Sequence, residues 1–112
     1  MPRGVIIVES RPSAPEREAE FDEWYRHVHV PEVRAVPGIV AVRRYRMRPR
    51  GAPGVTTELP TYLAVYDLEA DDLEAPLREL ARRSAEGRST PSGAMEREPP
   101  PKVTLFELLD EA

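Results

Sequence analysis

The chain contains no cysteine, asparagine or glutamine, and only one lysine, Lys102, among its 16 basic residues. Without thiols it forms no disulfide, zinc-thiolate site, cysteine nucleophile or iron-sulfur cluster. Without carboxamides, any mechanism that needs an Asn or Gln side chain is closed to it. Arg, Pro, Ala and Glu abound instead, the pattern of a GC-rich genome, so the choice of arginine over lysine carries no argument by itself. Long apolar runs are also missing. Runs such as Val5 to Val8 are far short of the roughly 20 residues that span a bilayer. The segment MPRGVIIVES lacks the apolar region of a secretory signal, so a cytoplasmic location is expected. A net charge of −4 and a pI near 5.3 give no long-range attraction for nucleic acid or anionic lipid, and neither partner is expected.

What is present fits one domain over residues 1–112. Four β-branched residues within Gly4 to Glu9 predict a strand buried on both faces. Ser13, with Glu16 three residues on and Pro15 in the first turn, predicts the N-cap of a helix running from about Ala14 to His29. Pro31 is expected to break that helix at Val30, with a short helical turn to Val36 after it. Beyond the Pro37-Gly38 turn, Ile39 to Met47 alternates. Ile39, Ala41, Arg43, Tyr45 and Met47 share one face, and Val40, Val42, Arg44 and Arg46 the other. Arg48 to Pro60 reads as a loop, and Tyr62 to Leu68 as a third strand. Asp71 or Asp72 caps a second helix that carries Pro76 in its first turn and stops at Gly87. Arg88 to Lys102 is an aperiodic, proline-rich loop, either a cover or disordered. Val103 to Leu109 is the last strand.

This order predicts an α+β ferredoxin-like βαββαβ plait: a four-stranded antiparallel sheet with two helices on one face. The strands expected at the centre are apolar on both faces, yet two helices cover only one. A second copy of the chain, giving a homodimer, is the expected cover.

Candidate chemistry concentrates between Phe21 and Tyr45. At about 100° per residue, Phe21, Trp24, Tyr25 and Val28 form an apolar arc that faces the sheet. Trp24 and Tyr25 also carry polar tips able to serve a ligand. His27 and His29 point about 160° apart on a helix and cannot grip one metal together. Glu20 and Glu23 give His27 a solvated, charge-balanced setting. His29 lies one turn after Tyr25 and has two readings: a general acid or base beside an apolar cavity, or a hydrogen-bond donor to a carbonyl freed by the proline break. Arg43, Arg44, Arg46, Arg48 and Arg50 read as a solvated edge strand, with one arginine able to turn inward and pair with a carboxylate or enolate. Tyr45, Tyr62 and Tyr66 are strand tyrosines, available for packing or for hydrogen bonding a developing oxyanion.

The string W-Y-x-x-x-H-V-P-E-V at Trp24 to Val33, then V-P-G at Val36 to Gly38 and R-R-Y at Arg43 to Tyr45, resembles the dimeric α+β barrel superfamily. Within it the chain is most similar to the EthD-like group, named for ethyl tert-butyl ether degradation. The resemblance implies two plaits packed sheet to sheet, each with a cavity between helices and sheet. It matches His29 to the motif histidine, Trp24 and Tyr25 to its aromatic pair, and Arg44 with Tyr45 to its strand pair. Members include polyketide cyclases, lactone isomerases, cofactor-free monooxygenases and haem-degrading enzymes. The last two resemble each other in using an Asn near the reacting oxygen, which this chain lacks.

The expected function is a cofactor-independent enzyme that transfers a proton, in a cyclisation or isomerisation, on a hydrophobic oxygenated molecule such as a polyketide or aromatic intermediate. His29 and Tyr25 would carry the chemistry, and Phe21, Trp24, Arg44, Tyr45, Tyr62 and Tyr66 the binding, with no metal or cofactor. The alternatives are a small-molecule-binding protein of the same fold or a cofactor-free monooxygenase.

Overall fold

The computed structural model of the chain describes residues 1–48 and 61–112. The elements run β1 (Arg3–Ser10), a 3-10 turn (Pro15–Arg17), α1 (Glu18–Trp24), a π turn (Tyr25–His29), α2 (Val30–Arg34), β2 (Ile39–Arg46), β3 (Tyr62–Glu69), α3 (Ala75–Ala85) and β4 (Lys102–Glu107). The strands form one antiparallel sheet in the order β2-β3-β1-β4. This is the ferredoxin-like α+β plait, with the charged strands β2 and β4 at its edges. The loop expected from Arg48 to Pro60 lies, apart from Arg48, outside the described residues.

Strand parity assigns the two sheet faces. Ile6 lies opposite Tyr66 and Leu105, and Val8 opposite Ala64, so these residues share the face toward the helices. Phe21, Tyr25, Val33 and Val36 from the helical layer meet them in one buried core. On the other face lie Val5, Ile7, Val65 and Phe106, and Phe106 is half exposed.

Three local expectations need correction. First, the helix is not broken at Val30. It continues through Pro31 by way of the π turn, in which the Val30 N–H reaches the Tyr25 carbonyl five residues back. Such a turn adds one residue to the helix and so moves every later side chain around the axis. An uninterrupted α-helix in phase with Phe21 and Tyr25 would turn Val28 and Glu32 toward the sheet. With one residue added, His29 and Val33 take those places. Val33 and Val36 are each 1% exposed, whereas Val28, expected in the core stripe, is only half-buried. Second, a bulge between Ile39 and Ala41 breaks the alternation of β2. Ile39 therefore shares the helix-facing side with Val42, Arg44 and Arg46, not with Ala41 and Tyr45. Third, Ser13 does not cap the first helical segment. Its hydroxyl donates to the Gly93 carbonyl at 2.9 Å.

The other turns follow the expected chemistry. Gly38 has φ 94, a conformation that costs a residue with a Cβ, and an added Cβ would also lie 2.9 Å from Pro76 Cγ. The segment after α3 pairs with the residues that follow β1. Pro12 pairs with Met95, the Ser13 N–H donates to the Ala94 carbonyl, and Ala94 is fully buried. Among the described residues, no helix is long and apolar enough to cross a membrane.

Candidate active site

The π turn builds the centre of the site. In an α-helix, residues five apart point about 140° away from each other, but one π turn brings them onto the same side. His29 accordingly stacks on Trp24, ring centroids 5.0 Å apart and planes 18° from parallel. It also meets Tyr25 edge to face at 4.8 Å. The Tyr25 ring, 2% exposed, is braced from behind by Phe21 at 5.7 Å. Its hydroxyl lies 3.0 Å from that of Tyr66, reached across the core from β3.

Arg44 enters from β2 on the helix-facing side that the bulge assigns to it. Its guanidinium carbon sits 4.7 Å above the Tyr25 ring and 5.9 Å from the Tyr62 ring, a cation–π arrangement. Nη1 donates to Asp22 Oδ1 at 2.8 Å. Arg44 Nη2 and His29 Nδ1 are both buried, and neither has a hydrogen-bond partner among the described residues. Buried polar groups in folded proteins are overwhelmingly paired, and an orphan costs roughly 1–3 kcal/mol. Both atoms belong to side chains that lie against the same Tyr25 ring.

The electrostatics agree with that geometry. Burial, reinforced by the Arg44 charge, holds the His29 pKa below its ordinary value, against the opposing pull of Glu32. The imidazole is thus neutral, and able to accept a proton, at neutral pH. Burial also raises both Tyr25 and Tyr66, so this pair stays protonated and available as hydrogen-bond donors.

Not every predicted site residue joins this cluster. Tyr62 contributes a ring edge to Phe21 at 5.0 Å, but its hydroxyl donates to Glu18 at 2.9 Å. Tyr45 lies on the other side of β2, half exposed, where its hydroxyl accepts a 3.2 Å hydrogen bond from Arg43. Tyr45, expected among the binding residues, therefore faces away from the helices and from Arg44. Arg43 forms a bidentate pair with Asp67 on that outer face, and Arg46 pairs with Glu18. His27 stands in solvent beside Glu23 at 3.5 Å.

Several participants were not singled out in the sequence. Asp22 anchors Arg44, and its place one residue after Phe21 was the only sign. Thr90 fastens the segment after α3 across the front of the site: the Trp24 indole N–H donates to its carbonyl at 2.9 Å, and its hydroxyl donates to Glu32 at 2.9 Å. A cleft of about 150 Å³ opens on His29, lined by Glu32, Val33, Ala35 and Leu80 together with Arg83, Arg88 and Ser89. Among the described residues, no three His, Asp or Glu side chains gather in a way that would hold a metal ion.

The fold recurs in solved structures. A protein of the ethyl tert-butyl ether degradation (EthD) family from Bacillus halodurans C-125 is similar at a TM-score of 0.57 and 20% identity, over 95% of this chain and 99% of that one. A monooxygenase from the gene ActVA-Orf6 of Streptomyces coelicolor, in complex with nanaomycin D, is similar at a TM-score of 0.50 and 15% identity, over 97% of this chain and 90% of that one. No curated protein matches the sequence. The model of the EthD domain matches residues 14–88, which contain the whole His29, Tyr25 and Arg44 cluster, and the chain belongs to the EthD domain family.

Proposed function

We propose that the chain is a cofactor-independent enzyme that moves a proton on the activated carbonyl of a hydrophobic, oxygenated small molecule, in a cyclisation or isomerisation. One observation carries this reading: the unpartnered His29 Nδ1 and Arg44 Nη2 flank the same buried Tyr25 ring. His29, kept neutral, takes a proton from the carbon next to the carbonyl. The C–H electron pair becomes the C=C bond of an enolate and the carbonyl π pair moves to oxygen, where Arg44 and the Tyr25 hydroxyl stabilise the charge. Isomerisation follows when the imidazolium returns the proton to a different carbon. Cyclisation follows when the enolate carbon attacks a second carbonyl of the same molecule, whose π pair moves to oxygen and takes back the proton from the imidazolium. Trp24 and Phe21 supply the apolar wall.

The test is solvent-deuterium exchange. In D2O, the protein is expected to wash deuterium into the position next to the carbonyl of an aromatic or polyketide-type ketone well above the buffer rate, followed by proton NMR. Binding without exchange would favour the second reading, a protein that sequesters the ligand. The narrowness of the cleft, about 150 Å³, is the observation in favour of that alternative. Monooxygenation is a third reading, suggested by the Streptomyces coelicolor neighbour. The absence of Asn from the sequence weighs against it, because the resemblance places that residue near the reacting oxygen.

The active form is a homodimer in this proposal. Val5, Ile7, Val65 and Phe106 make an apolar strip on the sheet face that the helices leave bare. Sedimentation at twice the 12.6 kDa chain mass is expected. A single-chain mass at micromolar concentration, by analytical ultracentrifugation, would remove the dimer from the proposal.

A further inference from the structure

The end of α3 sets two arginines at the mouth of the cleft. Gly87, at φ 72, lets the chain turn back over the last helical turn. The Gly87 N–H then bonds the Ser84 carbonyl at 3.1 Å, and the Arg88 N–H bonds the Arg83 carbonyl at 2.8 Å. This left-handed closure ties the backbones of Arg83 and Arg88 together although five positions separate them. It also occupies two of the last carbonyls of the helix, which would otherwise present negative charge. Both arginines line the cleft that His29 lines.

Their hydrogen-bonding capacity is mostly unused. Arg83 donates through Nε to Glu79 at 2.8 Å, and Arg88 through Nη1 to Glu86 at 3.3 Å. Each of those carboxylates is shared with Arg82, which pairs with Glu79 and Glu86 at once. The remaining N–H groups of both guanidinium forks have no protein acceptor among the described residues. Among those residues Glu32 is also the only carboxylate lining the cleft, and it is engaged by the backbone N–H and hydroxyl of Thr90. Beyond His29 and Ser89, the rest of the lining is apolar: Val33, Ala35 and Leu80. A cavity of about 150 Å³ has the volume to take one benzene ring.

We propose that this cleft is a binding site for a small aromatic carboxylate, its ring on Val33, Ala35 and Leu80, its acid group on the forks of Arg83 and Arg88, and its far side against His29. This deepens the proton-transfer reading by naming the substrate class as an aromatic or enolic acid, and it rests on that reading only for the chemistry after binding. A guanidinium fork matches a carboxylate in shape and charge, where a neutral amide of the same size offers no negative charge to pair.

The probes are benzoate and its neutral isostere benzamide, titrated into the intact protein. Trp24, the single tryptophan, stacks on His29 and reports through its fluorescence. The His29 imidazole signals report by NMR, with those of exposed His27 as an internal reference. Benzoate is expected to shift His29 and Trp24 and to leave His27 unmoved, and to bind about tenfold more tightly than benzamide. Arg88→Gln, on an exposed residue, and Arg83→Gln are each expected to weaken benzoate by about tenfold, with circular dichroism confirming that both variants fold. Equal binding of acid and amide, undiminished binding to the folded double variant, or no His29 response to benzoate at any soluble concentration overturns the proposal. Benzoate seated as described without deuterium exchange on ketone substrates would instead overturn the proton-transfer reading and leave this site standing.

Discussion

Changing His29 to alanine lowers the rate of deuterium exchange by about 10²–10⁴-fold, the usual worth of a positioned general acid or base. The fold survives the change. The imidazole contributes its stack on Trp24 and its edge contact with Tyr25, and aromatic pairs of this kind are worth roughly 0.5–1.5 kcal/mol each. Truncation also removes an unpartnered buried nitrogen, which recovers part of that loss. His27→Ala is the control. That side chain stands in solvent beside Glu23, and its removal leaves the exchange rate within about twofold, since surface changes of this type are worth less than ~0.5 kcal/mol. Equal exchange rates for wild type and His29→Ala would end the assignment of His29 as the base.

The pH profile of the same reaction carries a sign. The His29 pKa lies below its ordinary value, chiefly through burial. The neutral base therefore persists as pH falls through the ordinary histidine range, and exchange declines only below it. Stability follows the same group. Below the unfolded value the unfolded chain takes up a proton on His29 that the folded chain does not, so the stabilisation due to this residue is complete above that value. It is lost as pH falls toward the folded pKa.

The order of elements and the plait were legible in the sequence because both rest on patterns of many residues. Period-two alternation in Tyr62 to Leu68, the Gly87 stop and the apolar centre of β1 each agree with their neighbours. What escaped were single-residue changes of phase. A helical wheel assumes one constant angle per residue, and the π turn at Tyr25–His29 adds a residue within it. The sequence does carry a trace of this. On an unbroken wheel Val33 falls roughly 120° from Phe21, and it comes to within roughly 20° of it when one residue is discounted. Pro31 explains why the adjustment sits there, since it has no N–H to offer the His27 carbonyl in an ordinary helix.

The bulge in β2 is the same kind of event at a period of two. One irregularity moved Ile39 to the side of Arg44 and left Tyr45 facing away from the site. The fastening of Thr90 to Trp24 and Glu32 was not legible for a different reason. Its partners lie 66 and 58 positions away in the sequence, and no local period encodes a contact of that range.

Phe21→Ala is expected to cost about 3–5 kcal/mol, the usual effect of deleting a fully buried aromatic ring. Phe21 is 0% exposed, and its ring bridges Tyr25 at 5.7 Å and Tyr62 at 5.0 Å. These are the two rings over which Arg44 lies. Removing it therefore takes away both core burial and the backing of the site. For a domain of this length, a loss of that size lowers the melting temperature by on the order of 15 °C or more. Domains commonly hold only about 5–15 kcal/mol in total, so the variant is best compared with wild type by urea denaturation at low temperature. Phe21→Leu keeps most of the apolar volume and should lose about 1–2 kcal/mol. It still removes the aromatic edge that positions Tyr25, so exchange should fall in Phe21→Leu by more than its stability loss explains. A loss under about 1 kcal/mol for Phe21→Ala would mean that the ring does not support the helix against the sheet. In that case the placement of Tyr25 and Arg44 would have to be held by the Tyr66 hydroxyl and Asp22 alone.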